Sequence, residues 1–324
     1  MKNYVDWQIS LSSKITRINE RLLESITTSE PFLYEMAKYT IEAGGKRFRP
    51  LLTILVYGIV SEHTYDNILD LAAGYELIHT ASLIHDDIID NSPIRRNRPT
   101  LNKKYGMENA IVVGDFLFAR AYELGSRYGP VVSRIMADGS SKLAEGQTLE
   151  FLNRGNPDID EETYLKIISG KTAHFFEACA RGASVAGDAS PEIVEALSQF
   201  AFNLGMAFQI TDDILDFISS ENSVGKPVLH DMRESTITLP VIRAVKASGE
   251  ARDIVADILK GNDTEIENLK QHLIRTGSLD YSFKVASNYI QLAVKYLQKA
   301  KRSPDMEALM DLAMLVIDRI SSLK

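Results

Sequence analysis

The sequence lacks several features that mark particular classes of protein. It has one cysteine, Cys179, among 324 residues, so it cannot form an internal disulfide, and a reducing, cytoplasmic location is expected. No apolar run reaches the roughly 20 residues that span a bilayer. Residues 1–21 also lack the apolar stretch of a signal peptide, so we expect neither a membrane segment nor a leader. The net charge of -8 argues against nucleic acid as a partner.

Alternating patterns typical of strands are scarce, and repeats of fixed period are absent from the sequence. Apolar residues instead recur at helical spacing, as they do from Met306 to Ile320. Starts such as Ser303-Pro304 divide this pattern into about twelve helices, and Thr264 with Glu267 predicts a capping box at another start. We therefore predict an all-α fold in which residues 1–324 form a single domain.

Two D-D-x-x-D clusters lie near the ends of apolar helical patterns. They consist of Asp86, Asp87 and Asp90 and of Asp212, Asp213 and Asp216. Within each cluster the first and last aspartates are four residues apart, so they repel on one helix face, near the helix end that disfavours anions. A hard divalent cation would relieve the repulsion, and Mg²⁺ prefers carboxylate oxygens combined with substrate phosphates. One such cluster is as readily a solvated helix end, but two inside apolar helices favour a metal site.

Two basic segments could bind the matching anions. Gly44-Gly45-Lys46-Arg47-Phe48-Arg49-Pro50 places three cations where a helix is expected to begin, at Pro50. Cations oppose the helix dipole there, whereas the free N–H groups favour a bound phosphate; the alternative is a solvated basic loop. Arg95-Arg96 follows the first acidic cluster, and arginine suits bidentate phosphate binding.

Three further candidates are weak when taken singly. His79 lies two turns before Asp86 on the same helix face, where a hydrogen-bonded core histidine is the simpler interpretation. Gln209 lies three residues before Asp212, so both side chains can face the same cavity. Lys171-Thr172 is a third candidate.

Together these residues resemble the trans-type prenyl diphosphate synthase family, in the family's order from Gly44 to Pro240. The matching segments are G-K-x-x-R-P at residues 45–50, H-T-x-S-L-I-H-D-D-I-I-D at 79–90, Arg95-Arg96, E-G-Q at 145–147, G-K-T at 170–172, F-Q-I-T-D-D-I-L-D at 208–216 and Gly225-Lys226. The resemblance implies an isoprenoid synthase fold, which is a bundle of antiparallel helices around a central cavity, in a homodimer. It also implies ionisation of an allylic diphosphate, attack by the double bond of isopentenyl diphosphate, and loss of a proton.

The resemblance assigns a role to each matching position. The expected magnesium ligands, for about two or three ions, are Asp86, Asp90 and Asp212, with Asp87, Asp213 and Asp216 completing the acidic rims. The expected ligands of isopentenyl diphosphate are Lys46, Arg49, His79 and Arg96. The expected neighbours of the allylic diphosphate are Arg95, Lys171, Thr172, Gln209 and Lys226. The six aspartates and Lys171 form the predicted catalytic set.

Product length is predicted from Ala81 and Ser82, which lie about one turn before Asp86. In the family, aromatic residues at these positions give short products. The small residues here predict geranylgeranyl diphosphate or a longer product, although they could instead serve close helix packing.

The sequence departs from the family at three places. Ser235-Thr236 stands where Gly-Lys is usual, so one anchor for the allylic phosphate is absent unless Arg233 replaces it. Asn97 and Leu229 stand where glycine is usual, which affects loop geometry.

Three other functions compete with this one. A class I terpene cyclase would share one acidic cluster but lack the second and the G-K-x-x-R-P segment. A subunit of a two-component synthase is a further alternative, although partner subunits tend to lose aspartates and this chain keeps six. A structural scaffold gives no reason for two self-repelling clusters.

Overall fold

The computed structural model describes residues 6, 9–218 and 230–321, and this part of the chain is almost entirely helical. Its α-helices, in chain order, are α1 Ser12–Ser25, α2 Pro31–Glu42, α3 Phe48–Val60, α4 Leu69–Ile89, α5 Leu101–Tyr105, α6 Met107–Ser126, α7 Gly129–Asn153, α8 Glu161–Ile168, α9 His174–Ala186, α10 Pro191–Ile218, α11 His230–Arg233, α12 Leu239–Ala247, α13 Gly249–Leu259, α14 Ile266–Arg275, α15 Ser278–Leu297 and α16 Pro304–Ser321. A hairpin of two short strands, β1 Ile94–Arg95 and β2 Arg98–Pro99, follows α4. The all-α prediction is confirmed.

The described residues form sixteen α-helices rather than about twelve. The difference comes largely from single-turn helices, such as α5 and α11, which are too short to show apolar periodicity. The start of α16 at Pro304 agrees with the sequence. The capping box predicted at Thr264 is wrong: a 3₁₀ turn, Asp263–Glu265, precedes α14, and the Thr264 hydroxyl donates to Asn262 instead.

Two helices that bear on the site end in the same way. After α4, the Asn91 N–H donates to the Ile88 carbonyl and the Ser92 N–H to the Asp87 carbonyl, at 3.2 and 3.0 Å. Asn91 has φ of 48°, the left-handed conformation that this Schellman ending requires. Asparagine tolerates this conformation better than most residues, so α4 stops directly after the first acidic cluster.

Helix α11 ends in the same turn, but the residue in the left-handed conformation is Ser235, which tolerates this conformation less well than asparagine. Ser235 has φ of 59°, its N–H donates to the Met232 carbonyl, and the Thr236 N–H donates to the Asp231 carbonyl. This position favours glycine, which is a physical reason for the glycine of the usual Gly-Lys pair. Serine fits the same turn at some conformational cost.

The chain consists of two compact units, each described by itself. Unit 1 comprises Met1–Ser140, Ala178–Ser198 and Leu297–Asp311, and unit 2 comprises Ser141–Glu177, Gln199–Tyr296 and Leu312–Lys324. In unit 1, α4 is buried along most of its length and packs against α1, α3 and α6. In unit 2, the core is formed mainly by α8, residues 199–218 of α10, and α12 to α14. The single-domain prediction stays a prediction.

No helix in the described ranges combines the length and the apolar character that crossing a membrane requires.

Candidate active site

The first acidic cluster occupies the last turn of α4. Asp86 and the C-cap residue Asp90 are half-buried, one turn apart on the helix. Asp87 is 5% exposed, and its Oδ1 accepts a hydrogen bond from Arg95 Nε at 2.7 Å. The middle carboxylate therefore holds the hairpin, while the outer two lie on the adjoining face of the helix.

The hairpin after α4 carries the arginine pair. Arg95 pairs with Arg98 across the two strands, so Arg96 and Asn97 are the two residues of the turn, with φ of 51° and 59°. Positive φ at both central positions is the type I′ geometry, in which glycine or asparagine is favoured at the second. Asn97 therefore preserves this turn where glycine is usual. Arg96 is held in a conformation that is uncommon for a residue with a side chain.

In the basic segment at residues 44–50, one of the three cations has a structural role. Arg47 is 4% exposed, and its Nη1 donates to Glu76 at 2.8 Å within a buried ion pair. The helix begins at Phe48 rather than at Pro50, with Arg47 as its left-handed N-cap. Arg47 therefore anchors α3 to α4. Across the segment, a Cβ atom on Gly45 would lie 2.8 Å from Arg96 Nη2, so this glycine lets the guanidinium approach the backbone.

The cations of unit 1 converge around His79. Burial lowers the pKa of the His79 imidazole well below its ordinary value, and the charges of Arg49, Arg96 and Arg95 lower it further. The imidazole is therefore neutral near pH 7, amid several guanidinium groups. Such a concentration of positive charge in an acidic protein is suited to an anion with several negative oxygens, such as a diphosphate.

The second acidic cluster lies near the end of α10, and its middle residue is again engaged by the chain. Asp213 is 4% exposed; Tyr164 Oη donates to its Oδ2 at 2.6 Å and Gln209 Nε2 to its Oδ1 at 2.9 Å. Burial raises the pKa of the Asp213 carboxyl to about 7; the hydrogen bonds oppose this rise, and the charges of Asp212 and Asp216 add to it. Asp213 is therefore a buried structural group rather than a freely presented carboxylate.

The outer aspartates of this cluster meet two other elements. Arg319 Nη1 on α16 donates to Asp212 Oδ1 at 2.7 Å, and the Asp231 N–H at α11 donates to Asp216 Oδ2 at 3.2 Å. Asp212 remains 37% exposed at its side chain, so it can still reach a ligand.

The G-K-T segment forms a π-helical turn, Ser169–Ala173, between α8 and α9. A Cβ on Gly170 would lie 2.8 Å from Gly146 Cα, and one on Gly146 would lie 2.3 Å from Lys171 N. The glycines of E-G-Q and G-K-T thus let α7 touch the backbone of this turn. As a result, Lys171 Nζ reaches both oxygens of Glu150, at 2.8 and 3.0 Å.

Thr172 completes a chain of hydrogen bonds that ends at the second acidic cluster. Its hydroxyl donates to Gln209 Oε1 at 2.9 Å, which fixes the Gln209 amide so that its nitrogen faces Asp213. The structure thus brings Lys171, Thr172, Gln209 and the second cluster together within unit 2. Lys226 and Leu229 lie outside the described residues.

Ala81 and Ser82 lie in the middle of α4 within unit 1. Ala81 is fully buried and Ser82 is 8% exposed, with its hydroxyl donating to the His79 carbonyl. On either side of Ala81, a Cβ atom added to Gly74 would lie 3.1 Å from the Ala121 carbonyl oxygen of α6, and one added to Gly114 of the same helix would meet the His85 ring. This region of α4 therefore packs closely on α6.

The donors present fit magnesium in chemistry, since all six are carboxylates. Within the described part of the chain, no three acidic, histidine or cysteine side chains meet where they could hold an ion by themselves. This agrees with the usual habit of Mg²⁺, which binds one or two carboxylates and completes its shell with water and substrate phosphates.

Several residues at the site were not found from the sequence. Glu76, Glu150, Tyr164 and Arg319 each bind a predicted residue or its neighbour, yet none belongs to a motif with a chemical reason of its own. Tyr164 and Glu76 lie on helical core faces, where the sequence pattern predicts packing alone.

These features define an all-helical protein with two carboxylate clusters and grouped cations suited to diphosphates. The sequence model for "Polyprenyl synthetase" matches residues 30–276. An all-trans-nonaprenyl-diphosphate synthase (geranyl-diphosphate specific) of Rhodobacter capsulatus is 37% identical over 92% of this chain and 92% of its own. Component 2 of heptaprenyl diphosphate synthase from Bacillus subtilis is 31% identical over 90% of this chain and 84% of its own.

A solved structure supports the same relationship. The polyprenyl synthase of Caulobacter crescentus, complexed with calcium and isoprenyl diphosphate, superposes with a TM-score of 0.90 at 30% identity, covering 97% of each chain. The chain belongs to the polyprenyl synthetase family. It is a prenyltransferase with the isoprenoid synthase fold, as the sequence motifs predicted.

Proposed function

We propose that this prenyltransferase condenses isopentenyl diphosphate with an allylic diphosphate and repeats the addition to geranylgeranyl length or beyond. The observation that carries the proposal is the group of arginines around His79 beside the first acidic cluster. A class I terpene cyclase binds one diphosphate, and the cations of unit 2, such as Lys171 and Arg319, would be sufficient to bind it. The additional cationic group of unit 1 is explained by a second diphosphate substrate.

The two substrates would bind to different sets of side chains. Lys46, Arg49, His79 and Arg96 would bind isopentenyl diphosphate, with the neutral imidazole of His79 donating a hydrogen bond rather than a charge. Arg95, Lys171, Thr172, Gln209 and Lys226 would bind the allylic diphosphate. Lys171 and Arg95 are now paired with Glu150 and Asp87, so binding would extend or exchange ion pairs that already orient them.

Asp86, Asp90 and Asp212 would hold about two or three magnesium ions together with the substrate phosphates. Bound Mg²⁺ supplies positive charge that stabilises the departing diphosphate. The chain itself orients the two substrates through its cations and keeps water from the allylic carbon with apolar side chains. The proton lost after condensation would pass to the released diphosphate.

Product length is proposed from the packing of Ala81. His85 lies one turn after Ala81 on α4, and its ring centroid lies 5.9 Å from that of Phe118 on α6. A small residue at position 81 leaves room for a chain to pass once α4 and α6 separate slightly. The relatives differ in product length, so the exact number of units is left to the assay.

A homodimer is proposed from the outer face of α6. Met107, Ile111 and Val112 are 53%, 43% and 53% exposed, an unusual density of apolar surface on one helix. A second copy of the chain would cover this face. The heteromeric alternative is favoured by the similarity to a component 2 protein, and activity of the purified chain alone would exclude it. The cytoplasmic location stays a prediction.

The decisive experiment incubates the purified chain with labelled isopentenyl diphosphate, farnesyl diphosphate and Mg²⁺, and sizes the dephosphorylated products. A ladder that ends at one length would support the proposal and identify the product. Cyclised hydrocarbon without incorporation of isopentenyl diphosphate would support the cyclase instead. No incorporation with geranyl, farnesyl or geranylgeranyl diphosphate would contradict autonomous activity and favour a two-component enzyme.

A further inference from the structure

Arg319 lies in the C-terminal helix, beyond the residues that the family model matches, yet it contacts the second acidic cluster. Its Nη1 lies 2.7 Å from Asp212 Oδ1, and its guanidinium carbon lies 5.8 Å from the centroid of the Phe208 ring. Phe208 and Asp212 are four residues apart on α10, so the guanidinium lies along one face of that helix.

The position of Arg319 is fixed although it is close to the end of α16. Val316 and Ile320 flank it in sequence and are 2% and 1% exposed, so this last turn of the helix is anchored in the unit 2 core. The Arg319 side chain itself is 24% exposed, and that of Asp212 is 37% exposed. The pair is thus held by a helix that is anchored in the core, and both side chains are still reachable from solvent.

The Arg319–Asp212 ion pair is favourable in the protein without ligands but competes with a metal ion for Asp212. Asp212 and Asp216 repel each other at the end of α10 where anions are disfavoured, and Arg319 offsets this repulsion. A magnesium ion bound to Asp212 would compete for the same carboxylate, and two cations on one oxygen are unfavourable. The diphosphate that arrives with the metal offers oxygens that suit the planar guanidinium fork.

We propose that Arg319 is the counter-ion of Asp212 in the unloaded enzyme and transfers to the diphosphate when metal and substrate bind. This inference rests on the proposed function. The residue would then do two things: it keeps the second cluster folded before loading, and it binds an oxygen of the allylic diphosphate afterwards. Arg319 would be a substrate-binding residue supplied by α16.

The test compares Arg319→Met and Arg319→Lys with wild type in two binding measurements. Mn²⁺, which also prefers oxygen ligands, is titrated alone and followed by electron paramagnetic resonance. Inorganic diphosphate is then titrated by calorimetry at saturating Mn²⁺. Arg302→Met is the matched control, because it removes a different arginine, just before α16, from an ion pair with Glu307 in which Arg302 is 86% exposed.

If Arg319 transfers from Asp212 to the diphosphate, its removal should change the affinities for Mn²⁺ and for diphosphate in opposite directions. Arg319→Met should bind Mn²⁺ about tenfold more tightly, since Asp212 is released, and diphosphate about tenfold more weakly, as expected for one charge-assisted hydrogen bond. Arg319→Lys should keep wild-type Mn²⁺ affinity and lose part of the diphosphate affinity. Arg302→Met should match wild type in both.

Other results would overturn the inference. A purely structural ion pair predicts that Arg319→Met weakens the binding of Mn²⁺ and of diphosphate together. Unchanged affinities in Arg319→Met, with wild type binding Mn²⁺ and diphosphate normally, would refute the role of Arg319 alone. Failure of wild type itself to bind diphosphate would refute the proposed function as well. Arg319→Gln supplies a second neutral variant if the methionine variant does not fold.

Discussion

The contact between Gly146 and the π-helical turn allows a quantitative prediction for Gly146→Ala. The added Cβ would lie 2.3 Å from Lys171 N and 2.7 Å from the Gly170 carbonyl carbon, so α7 and the turn must separate by about 1 Å. Overpacking of this kind costs about 1–3 kcal/mol, and the better helix propensity of alanine returns at most about 1 kcal/mol. We therefore expect net destabilisation of about 1–2 kcal/mol. Since Lys171 moves with the turn, kcat should fall by about a hundredfold.

The assays are urea denaturation and steady-state condensation at saturating substrates. Gly249→Ala is the matched control, because Gly249 is also a helical glycine but has no atom within 4 Å of its added Cβ. The control should be neutral or more stable by up to about 1 kcal/mol, with unchanged kcat. Equal urea midpoints and equal kcat for Gly146→Ala and wild type would show that the two backbones are not in contact, and the reasoning would be wrong.

Four further predictions follow from the site. Ser235→Gly should raise the melting temperature by an amount equivalent to about 1 kcal/mol, because glycine relieves the left-handed conformation; a lower value would contradict that geometry. His79→Gln should lessen the loss of stability on acidification. The folded pKa of His79 lies below its unfolded value of about 6.5, so the wild-type protein loses stability as the pH falls from about 6.5 toward the folded pKa. Melting curves of both proteins at pH 7 and pH 5 would measure the difference. Asp86→Ala or Asp212→Ala should nearly abolish turnover with a native circular dichroism spectrum, and wild-type rates in either would remove the metal assignment. Ala81→Phe should shorten the product on chromatography, and an unchanged ladder would refute the proposed path between α4 and α6.

Much of the architecture could be predicted because helical periodicity and proline starts are local signals. The positions of the two acidic clusters at the ends of α4 and α10 follow from the same pattern. The arginine pair was also found, but the type I′ turn at Arg96-Asn97 was not expected, since the usual signal for that turn is Asn-Gly. Asn97 turned out to be a tolerated alternative to glycine.

The remaining parts depend on partners far apart in the chain. Arg47 meets Glu76 across 29 residues, Tyr164 meets Asp213 across 49, and Arg319 meets Asp212 across 107. Tertiary packing creates these pairs, and one sequence shows periodicity within each helix but not which helices meet. Arg47 is an example: the sequence shows it as one of three cations in a basic segment, but not that it is committed to a buried ion pair with Glu76.

The hydrogen bonds of Asp87 and Asp213 show that the D-D-x-x-D spacing points its aspartates in different directions. Successive residues of an α-helix are rotated by about 100° about its axis, so the second aspartate of each cluster points about 100° away from the first and about 60° away from the third. That offset takes Asp87 to the hairpin arginine and Asp213 to Tyr164 and Gln209. The first and second carboxylates of each cluster are therefore chemically identical but point toward different partners. A one-residue change in helix register within this segment would exchange their directions, so that the first carboxylate would face the packed side chains and the second would face outward.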